Sequence, residues 1–159
     1  MQLVPLADEH LHGLHAINGD ASVMAQIGNG LPLSLQQSQL MIDTVRRHWS
    51  ARGMSWWALL RKDDGVMVGA AALQPLQWPA CTAPEIAWRL RRDCWGMGYA
   101  TEAANAIVDH ARGAGQVRIV AIAYPANLAS INVMHRLGMQ YHGLEIHHGR
   151  RCPVFDLLL

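Results

Sequence analysis

Residues Pro84–Ala104, PEIAWRLRRDCWGMGYATEAA, decide the fold expected of this chain. The apolar run Glu85–Leu90 predicts a strand, and a turn spaced by Gly96 and Gly98 leads into a helix that opens near Tyr99. The first N–H groups of a helix have no partner within it and lie at the positive end of its dipole. The stretch therefore predicts a strand, an anion-binding turn and a helix, in that order.

Glycine spacing of this kind is not specific to phosphate binding. A G-x-G pair occurs wherever a chain turns tightly or a helix lies close to a sheet. A Rossmann dinucleotide site fits poorly, because Thr101 replaces the third glycine and the next strand ends in Tyr124-Pro125 without an acid for a ribose. A Walker loop is excluded, since no Gly-Lys-Ser/Thr follows the glycines.

Length and charge narrow the class of protein. The chain has 159 residues, which predicts one domain, residues 1–159, with a core of its own. The formal net charge is +1, so no overall basic field indicates a nucleic-acid partner, although Arg89, Arg91 and Arg92 form a local cluster. The first ten residues lack a signal-peptide pattern, and no run approaches the roughly 20 apolar residues of a membrane span. We expect a soluble cytoplasmic protein with neither a membrane nor a nucleic-acid partner.

The cysteines and histidines do not indicate a metal site. Cys81, Cys94 and Cys152 are odd in number and unpatterned, which argues against a disulfide framework and a zinc site, so we expect reduced, structural thiols. A second possible set of metal ligands lacks a recognised ligand spacing; it comprises His142, His147, His148 and Cys152.

The first half of the chain predicts strands and helices that flank a hairpin. The elements are a strand at Gln2–Leu6, a helix capped by Asp8, a loop at Gly19–Pro32 and a helix that begins at Ser34 and ends near Gly53. Ser34 and Gln37 have capping-box spacing. The buried stripe of that second helix is predicted to be Leu40, Met41, Val45 and Trp49.

Two apolar runs then predict an antiparallel hairpin. Met54–Leu60 and Val66–Leu73 are joined through Asp64-Gly65, a strong hairpin signal. The segment Gln74–Pro84 contains three prolines and predicts an exposed loop. Its Trp78 either lines a substrate mouth or closes the edge of the core.

The second half predicts two helices and three strands. The helix Tyr99–Arg112 has an apolar stripe and ends at Gly113 and Gly115; the stripe comprises Ala100, Ala103, Ala104, Ile107, Val108 and Ala111. Asn127 caps the other helix, with Leu128, Ile131, Met134 and Leu137 directed inward. The predicted strands are Val117–Ala123, Met139–Ile146 and Cys152–Leu159, the last two around a turn at His148-Gly149.

Two segments together resemble a known family. EIAWRLRRDCWGMGYATEA at 85–103 and NLASINVMHRLGM at 127–139 resemble the GNAT superfamily of acetyl-CoA-dependent N-acetyltransferases. Within it they are most similar to the RimJ/RimL-like (ribosomal-protein-alanine N-acetyltransferase-like) branch, with its E-I-x-W, W-G-x-G-Y-A-T-E-A and N-x-x-S-x-x-V-x-x-x-x-G signatures. The resemblance implies an α/β (α+β) GNAT fold: a mixed, mostly antiparallel twisted sheet of about six to seven strands flanked by about four helices.

The resemblance also implies where acetyl-CoA binds. The strand Glu85–Leu90 would pair with the pantetheine amides, and the turn would take the pyrophosphate. The implied site comprises Ala87, Trp88, Leu90, Arg91, Arg92, Trp95, Gly96, Met97, Gly98, Tyr99, Ala100, Asn127 and Ser130, with no metal. Asp93 departs from the family pattern, which often has Gln or Arg there. We expect its carboxylate to point outward, because an inward acid would repel phosphate.

The resemblance implies catalytic candidates as well. Many relatives carry a tyrosine acid where this chain has Met134, so Ser130 is the best remaining donor to the thiol. Ser130 could instead satisfy local N–H groups at the start of its helix. Glu85 is the first candidate for the general base and Glu145 the second, although either could be a surface acid or an ion-pair partner. The remaining candidates, His147 and His148, titrate near neutrality, but beside Gly149 they are predicted to be solvated.

Three functions stay open on the sequence. The first is an N-acetyltransferase that moves acetyl to a primary amine, a protein N-terminus or a small molecule, by direct attack in a ternary complex. The second is a non-catalytic acyl-CoA-binding or regulatory domain, which Met134 favours and Glu85, Asn127 and Ser130 disfavour. The third is a nucleotide-phosphate-binding module of another class. The resemblance is compatible with a homodimer, although no apolar stripe in the sequence requires one.

Overall fold

The computed structural model describes residues 1–75 and 83–159. Their strands form one seven-stranded sheet: β1 (Gln2–Pro5), β2 (Trp56–Leu60), β3 (Met67–Pro75), β4 (Pro84–Leu90), β5 (Arg118–Ile122), β6 (Gln140–His147) and β7 (Arg150–Leu158). The spatial order is β1-β2-β3-β4-β5-β7-β6. In the described residues β4 and β5 run parallel, and the other neighbours pair antiparallel. The predicted mixed, mostly antiparallel sheet is confirmed.

Helices cover both faces of the sheet. They are α1 (Leu11–Asn18), α2 (Ala21–Met24), α3 (Leu35–Arg52), α4 (Tyr99–Gly113) and α5 (Leu128–Arg136), with short 3-10 turns at Asp8–His10 and Arg92–Cys94. One core cluster joins α1 and α3 to the sheet through Leu14, Ile42 and Ala72. The other joins α4 and α5 to the opposite face through Ile107, Met134 and Ile86. Since side chains alternate along a strand, Ile86 and Ala87 of β4 contact different layers.

The alanine stripe of α4 is buried as predicted. Ala103, Ala104 and Ala111 have no exposed surface, and Ile107 and Val108 are nearly as buried. Small side chains let the helix axis approach the sheet closely. This approach fixes where the first turn of α4 stands relative to the end of β4.

The sheet opens between β4 and β5. In the described chain their pairing is limited to one register pair, Glu85 with Val120. β4 continues to Leu90, so its edge toward β5 has no backbone pairing beyond Glu85, the second residue of the strand. The result is a cleft in the middle of the sheet.

Local signals predicted several elements correctly. Ser34 and Gln37 form the expected capping box, and Gly53 ends α3 with φ of 65°. The Asp64-Gly65 hairpin joins β2 to β3 in antiparallel register. Asn127 caps α5 through Ser130. No helix in the described part of the chain is long and apolar enough to cross a membrane.

The prediction that Asp8 caps the first helix is wrong. Asp8 opens the 3-10 turn that precedes α1, and its carboxylate accepts hydrogen bonds from α3. Arg46 Nη1 lies 2.7 Å from Oδ2, and Gln39 Nε2 lies 2.9 Å from Oδ1. The carboxylate is thus used in a contact between α3 and the turn, which the local sequence does not show.

Two predicted core positions are exposed. Leu40 of α3 is 58% exposed and Leu128 of α5 is 65% exposed. A helix turns by about 100° per residue, so three successive steps of three residues place Leu128 about 180° away from Leu137. By the same arithmetic Leu40 lies about 160° from Ser38, which is fully buried in α3.

The predicted loops contain more regular structure than expected. Gly19–Pro32 includes α2, whose first turn is capped by Asp20 Oδ1 at 2.7 Å from the Ser22 N–H. The ends of Gln74–Pro84 belong to the sheet, because Gln74 pairs with Glu85 and Pro75 with Pro84. The predictions for Trp78 and Cys81 lie outside the described residues; the described cysteines, Cys94 and Cys152, are free and buried.

Candidate active site

The cleft between β4 and β5 encloses a cavity of about 280 Å³. Its walls come from residues 85–89 of β4, the start of α5, the segment after α2, and the turn between β6 and β7. Of the predicted site residues, the cavity wall includes Glu85, Ala87, Trp88, Asn127 and Ser130. The remaining coenzyme candidates follow β4 toward the first turn of α4.

The first turn of α4 is open to a ligand. Gly96 and Gly98 have φ of 76° and 84°, and no atom stands within 4 Å of where a Cβ would lie on either. No side chain caps this helix, so its first N–H groups lack intrahelical or capping partners. The indole of Trp95 donates to the Leu90 carbonyl at 3.1 Å and connects the turn to the end of β4. The turn has the geometry of a backbone anion site.

Two arginines beside this turn differ in how much of their charge is free. Arg91 forms a bidentate pair with Asp93, with Nη2 2.7 Å from Oδ2 and Nε 3.1 Å from Oδ1. Asp93 is exposed, and its pair with Arg91 lowers the pKa of its carboxyl. Arg92 donates to Ser22 Oγ at 3.4 Å and has no ion pair within the described residues. Arg92 is therefore the cation of the turn whose charge is not already compensated.

A chain of side-chain hydrogen bonds runs along the α1–α3 face of the cleft. Trp56 Nε1 donates to Gln74 Oε1 at 2.9 Å, and Gln74 Nε2 donates to Glu85 Oε2 at 3.1 Å. Burial raises the pKa of the Glu85 carboxyl, and the hydrogen bond from Gln74 and the charge of Arg89 oppose the rise. Glu85 thus has an oriented carboxylate with a greater tendency to take a proton than a solvated one.

Arg89 is the second charged group on this face. Its Nη1 donates to Asn18 Oδ1 at 2.7 Å, and its guanidinium stacks over the Trp56 ring at 4.4 Å. Burial lowers the pKa of Arg89 to about 10, so the group stays cationic at neutral pH. Asn18 is itself fully buried, and its amide is also within 3.4 Å of Ser38 Oγ. The cation is held in place by α1 and by the β2 tryptophan.

The start of α5 faces the cleft from the other side. Asn127 Oδ1 accepts from the Ser130 N–H at 3.1 Å, which is a helix-capping bond. The capping oxygen therefore belongs to Asn127, and the Ser130 hydroxyl has no hydrogen-bond partner in the described chain. Met134 is buried one turn further along and lines the same cavity.

The late strands place histidines in the cleft and leave Glu145 outside its wall. His147 and His148 line the cavity; His148 is exposed, as the sequence predicts, and His147 is half-buried, while Glu145 is not among the described residues of the wall. Burial, and to a lesser degree the charge of His148, lowers the pKa of His147. In residues 1–75 and 83–159, no group of three or more His, Cys, Asp or Glu side chains could hold a metal ion.

Sequence reasoning missed part of this site. It did not identify Asn18, Trp56 and Gln74, and it noted Arg89 only as a member of a basic cluster. One signal was available: Glu85 and Arg89 are four residues apart on a predicted strand, so they share a face. The contact with Asn18 spans 71 positions and leaves no local trace.

Comparisons with known proteins show the family and the fold. The family model described as an acetyltransferase (GNAT) domain matches residues 1–140. The uncharacterised protein YkkB of Bacillus subtilis is 33% identical over 107 residues, which is 67% of this chain and 62% of that relative. The match thus spans less than two thirds of the length of this curated relative.

Solved structures share the fold. A putative GNAT-family acetyltransferase from Bordetella pertussis superposes with a TM-score of 0.82 at 24% identity, covering 97% of this chain and 93% of that one. A ribosomal-protein-alanine N-acetyltransferase from Brucella melitensis gives a TM-score of 0.81 at 18% identity, with both chains fully covered.

Proposed function

The chain belongs to the GNAT acetyltransferase family, and we propose that it transfers acetyl from acetyl-CoA to a primary amine by direct attack within a ternary complex. Acetyl-CoA supplies the activated acyl group as a thioester. The observation that carries the proposal is the cleft where β4 leaves β5, because an uncapped helix N-terminus follows its open end and Glu85 stands at its closed end.

The coenzyme side fits a long amide-bearing chain that ends in phosphates. The backbone of Ala87, Trp88 and Leu90 runs along the edge that β4 turns toward β5, where extended amides can pair with it. The N–H groups of residues 96–100 would hold the pyrophosphate at the positive end of the α4 dipole, whereas the Trp95 N–H already donates to the Arg92 carbonyl. Arg92 would add charge, and Arg91 would add less because Asp93 already neutralises it.

The part of the cleft that binds the amine needs a group that takes up a proton. A protonated amine cannot attack a thioester, so a group in the cleft must take a proton from it, directly or through water. Glu85 suits this role, since burial raises the pKa of its carboxyl and Gln74 fixes its orientation. Glu145 remains a second candidate, although it lies outside the described cavity wall.

Ser130 is proposed as the donor to the thiolate that leaves. Ser130 belongs to the cavity wall, and its hydroxyl has no hydrogen-bond partner among the described residues, so it is available to a ligand. Met134, the other α5 residue of the described wall, cannot donate a proton, so Ser130 supplies the protic side chain of α5 there. Asn127 Oδ1 caps the helix by accepting from the Ser130 N–H, so the Ser130 hydroxyl is not used as the capping group.

Ser130→Ala is expected to lower kcat about tenfold and to change the acetyl-CoA dissociation constant less. The reason is that a hydrogen bond to a developing thiolate is stronger in the transition state than in the ground state. Steady-state kinetics and calorimetry of acetyl-CoA binding measure the two quantities. Ser50→Ala on α3 is the matched control, because that hydroxyl only back-bonds to the Arg46 carbonyl. A loss confined to coenzyme affinity would make Ser130 a binding residue, and an unchanged rate would remove it from the site.

The acceptor is proposed to be a protein N-terminus or a small-molecule amine. The α4 and α5 motifs resemble the RimJ/RimL-like branch, and the Brucella melitensis neighbour bears a ribosomal-protein-alanine acetyltransferase name. At 18% identity that neighbour shares the fold alone, so its acceptor is not carried over.

Coenzyme titration and product release test the proposal. Acetyl-CoA should bind at least about tenfold more tightly than NAD or ATP in calorimetry, and free CoA should appear with at least one member of a panel of amines and peptides. Acetyl-CoA binding without CoA release from any acceptor would instead support the non-catalytic acyl-CoA-binding alternative, which Met134 favours. Tighter binding of NAD or ATP would contradict both.

A further inference from the structure

Arg89 is a half-buried cation that contacts no anion among the described residues, although the charge of Glu85 acts on it and partly offsets the lowering of its pKa by burial. Within the described residues it forms no ion pair, and its side-chain hydrogen bond goes to the neutral amide of Asn18. Its Nε is buried with no partner. Buried charges in proteins are normally paired, because an unpaired one has lost its hydration without compensation. Arg89 therefore has the features of a group whose counterion arrives with a ligand.

The guanidinium of Arg89 is held in place and keeps a donor for an anion. Asn18 Oδ1 accepts from Nη1, and the Trp56 ring lies against the group, with Cζ 4.4 Å from the ring centroid. Nε is buried, so a ligand in the cavity meets the terminal nitrogens of the group. A carboxylate there forms a charge-assisted hydrogen bond and compensates the cation, which a neutral amide cannot do.

Arg89 and Glu85 lie in the same cavity and on the same face of β4. Ala87 lies between them in sequence, and their Cα atoms are about 13 Å apart at the rise of an extended strand. The small side chain of Ala87 leaves room above the strand between the two charges. The cavity thus offers a carboxylate for an amine and a guanidinium for an anion.

We propose that the acceptor is a small-molecule amine that carries a carboxylate, an amino acid in the broad sense, with the carboxylate on Arg89 and the amine toward Glu85. The inference rests on the proposed acetyl transfer and selects among its acceptors. The cavity, at about 280 Å³, suits a small molecule, and Ile27 and Gly28 belong to its wall on the side of α2. A protein N-terminus has no free carboxylate at this distance from its amine unless an acidic side chain supplies one.

Matched acceptors test this selection. CoA release is measured with a panel of L-amino acids that have apolar, polar and acidic side chains, each beside its amide and its decarboxylated amine. The free amino acids should have about 10- to 100-fold higher kcat/KM than their carboxylate-free counterparts. Most of the difference should lie in KM, because the charge-assisted bond is made in both the ground state and the transition state. Equal values within the matched sets would overturn the inference.

Variants at Arg89 then assign the preference to this residue. Arg89→Met should raise KM for the preferred amino acid until the ratio to its decarboxylated amine falls toward one. Arg89→Lys should retain part of the ratio, because it keeps the charge without the fork. Arg112→Met on exposed α4, which loses a cation paired with Asp109, is the control. A ratio that survives Arg89→Met would overturn the assignment.

Direct binding separates this inference from acetyl transfer and does not depend on how well Arg89→Met folds. In the CoA complex of the parent, calorimetry should detect the deaminated acid of the preferred amino acid, and Arg89→Lys should bind it at least tenfold more weakly. Amines acetylated without a carboxylate preference would contradict the carboxylate site and leave acetyl transfer standing. Acids bound through Arg89 without CoA release from any amine would contradict acetyl transfer and leave the carboxylate site standing.

Discussion

Glu85→Gln is expected to lower kcat by roughly 10²- to 10⁴-fold, the usual reach of general-base catalysis. The amide cannot take a proton from the amine, but it keeps the size of the side chain and can still bond to Gln74. Because Glu85 does not contact the α4 turn, the acetyl-CoA dissociation constant should stay near the parental value. Stopped-time assays of CoA release and calorimetry measure the two effects.

The pH–rate profile identifies the base. A carboxylate base works when it is deprotonated, so the rate should fall as the pH drops through the pKa of Glu85. Burial raises that pKa, which moves the acidic limb above the ordinary value of about 4.3 for Glu. In Glu85→Gln the limb should disappear. The other titratable or charged groups on the described cavity wall are Arg89, Tyr124, His147, His148 and Cys152.

Glu145→Gln tests the second candidate for the general base. It makes the same chemical change on β6, outside the described cavity wall, and should keep the parental rate and limb. If Glu85→Gln retains the limb and the rate, the limb belongs to another group. His147→Gln then decides whether that group is His147, whose own pKa is lowered by burial.

Gly98→Val is expected to weaken acetyl-CoA binding at least about tenfold, equivalent to about 1.4 kcal/mol. A Cβ at Gly98 would enter open space at the first turn of α4, where the proposed pyrophosphate lies against backbone N–H groups. The φ of 84° also strains any residue with a Cβ by about 1–3 kcal/mol, so the variant loses stability as well. Calorimetry on the folded protein gives the affinity, and thermal unfolding gives the stability.

Gly115→Val separates strain from obstruction. Gly115 has φ of 75° and the same empty surroundings, but it follows the opposite end of α4. Both variants should lose comparable stability, and Gly98→Val should be the one that loses coenzyme affinity. Equal affinities in the two would show that the phosphates do not approach Gly98.

Local sequence determined the parts of the fold that were predicted well. The Ser34–Gln37 capping box, the Asp64-Gly65 hairpin and the glycine turn before α4 each depend on residues within a few positions of one another. Backbone preference and short-range hydrogen bonds settle such features without tertiary contacts. The same reasoning failed at Asp8, whose local capping role gives way to Arg46, 38 positions away.

The cleft shows the same division between local and distant information. Residues that line it through their place on β4 or α5, such as Glu85 and Ser130, were found from motifs. Arg89 obtains its significance from Asn18 and Trp56, and His147 obtains its place from the pairing of β6 with β7. Chain order cannot show which distant side chains meet. That meeting determines which charges are compensated and which are left for a ligand.

The cleft between β4 and β5 has a consequence for aggregation. A strand edge without a partner is a template on which other chains assemble, and proteins usually shield such edges at the rim of a sheet. Here the unpaired edge of β4 lies in mid-sheet, because β4 pairs with β3 on one side and leaves β5 after Glu85 on the other. This edge is therefore reached through the cleft and not at the rim of the sheet. A strand of another chain would have to enter the cleft to pair with β4, whereas a single chain of amides and methylenes needs less width.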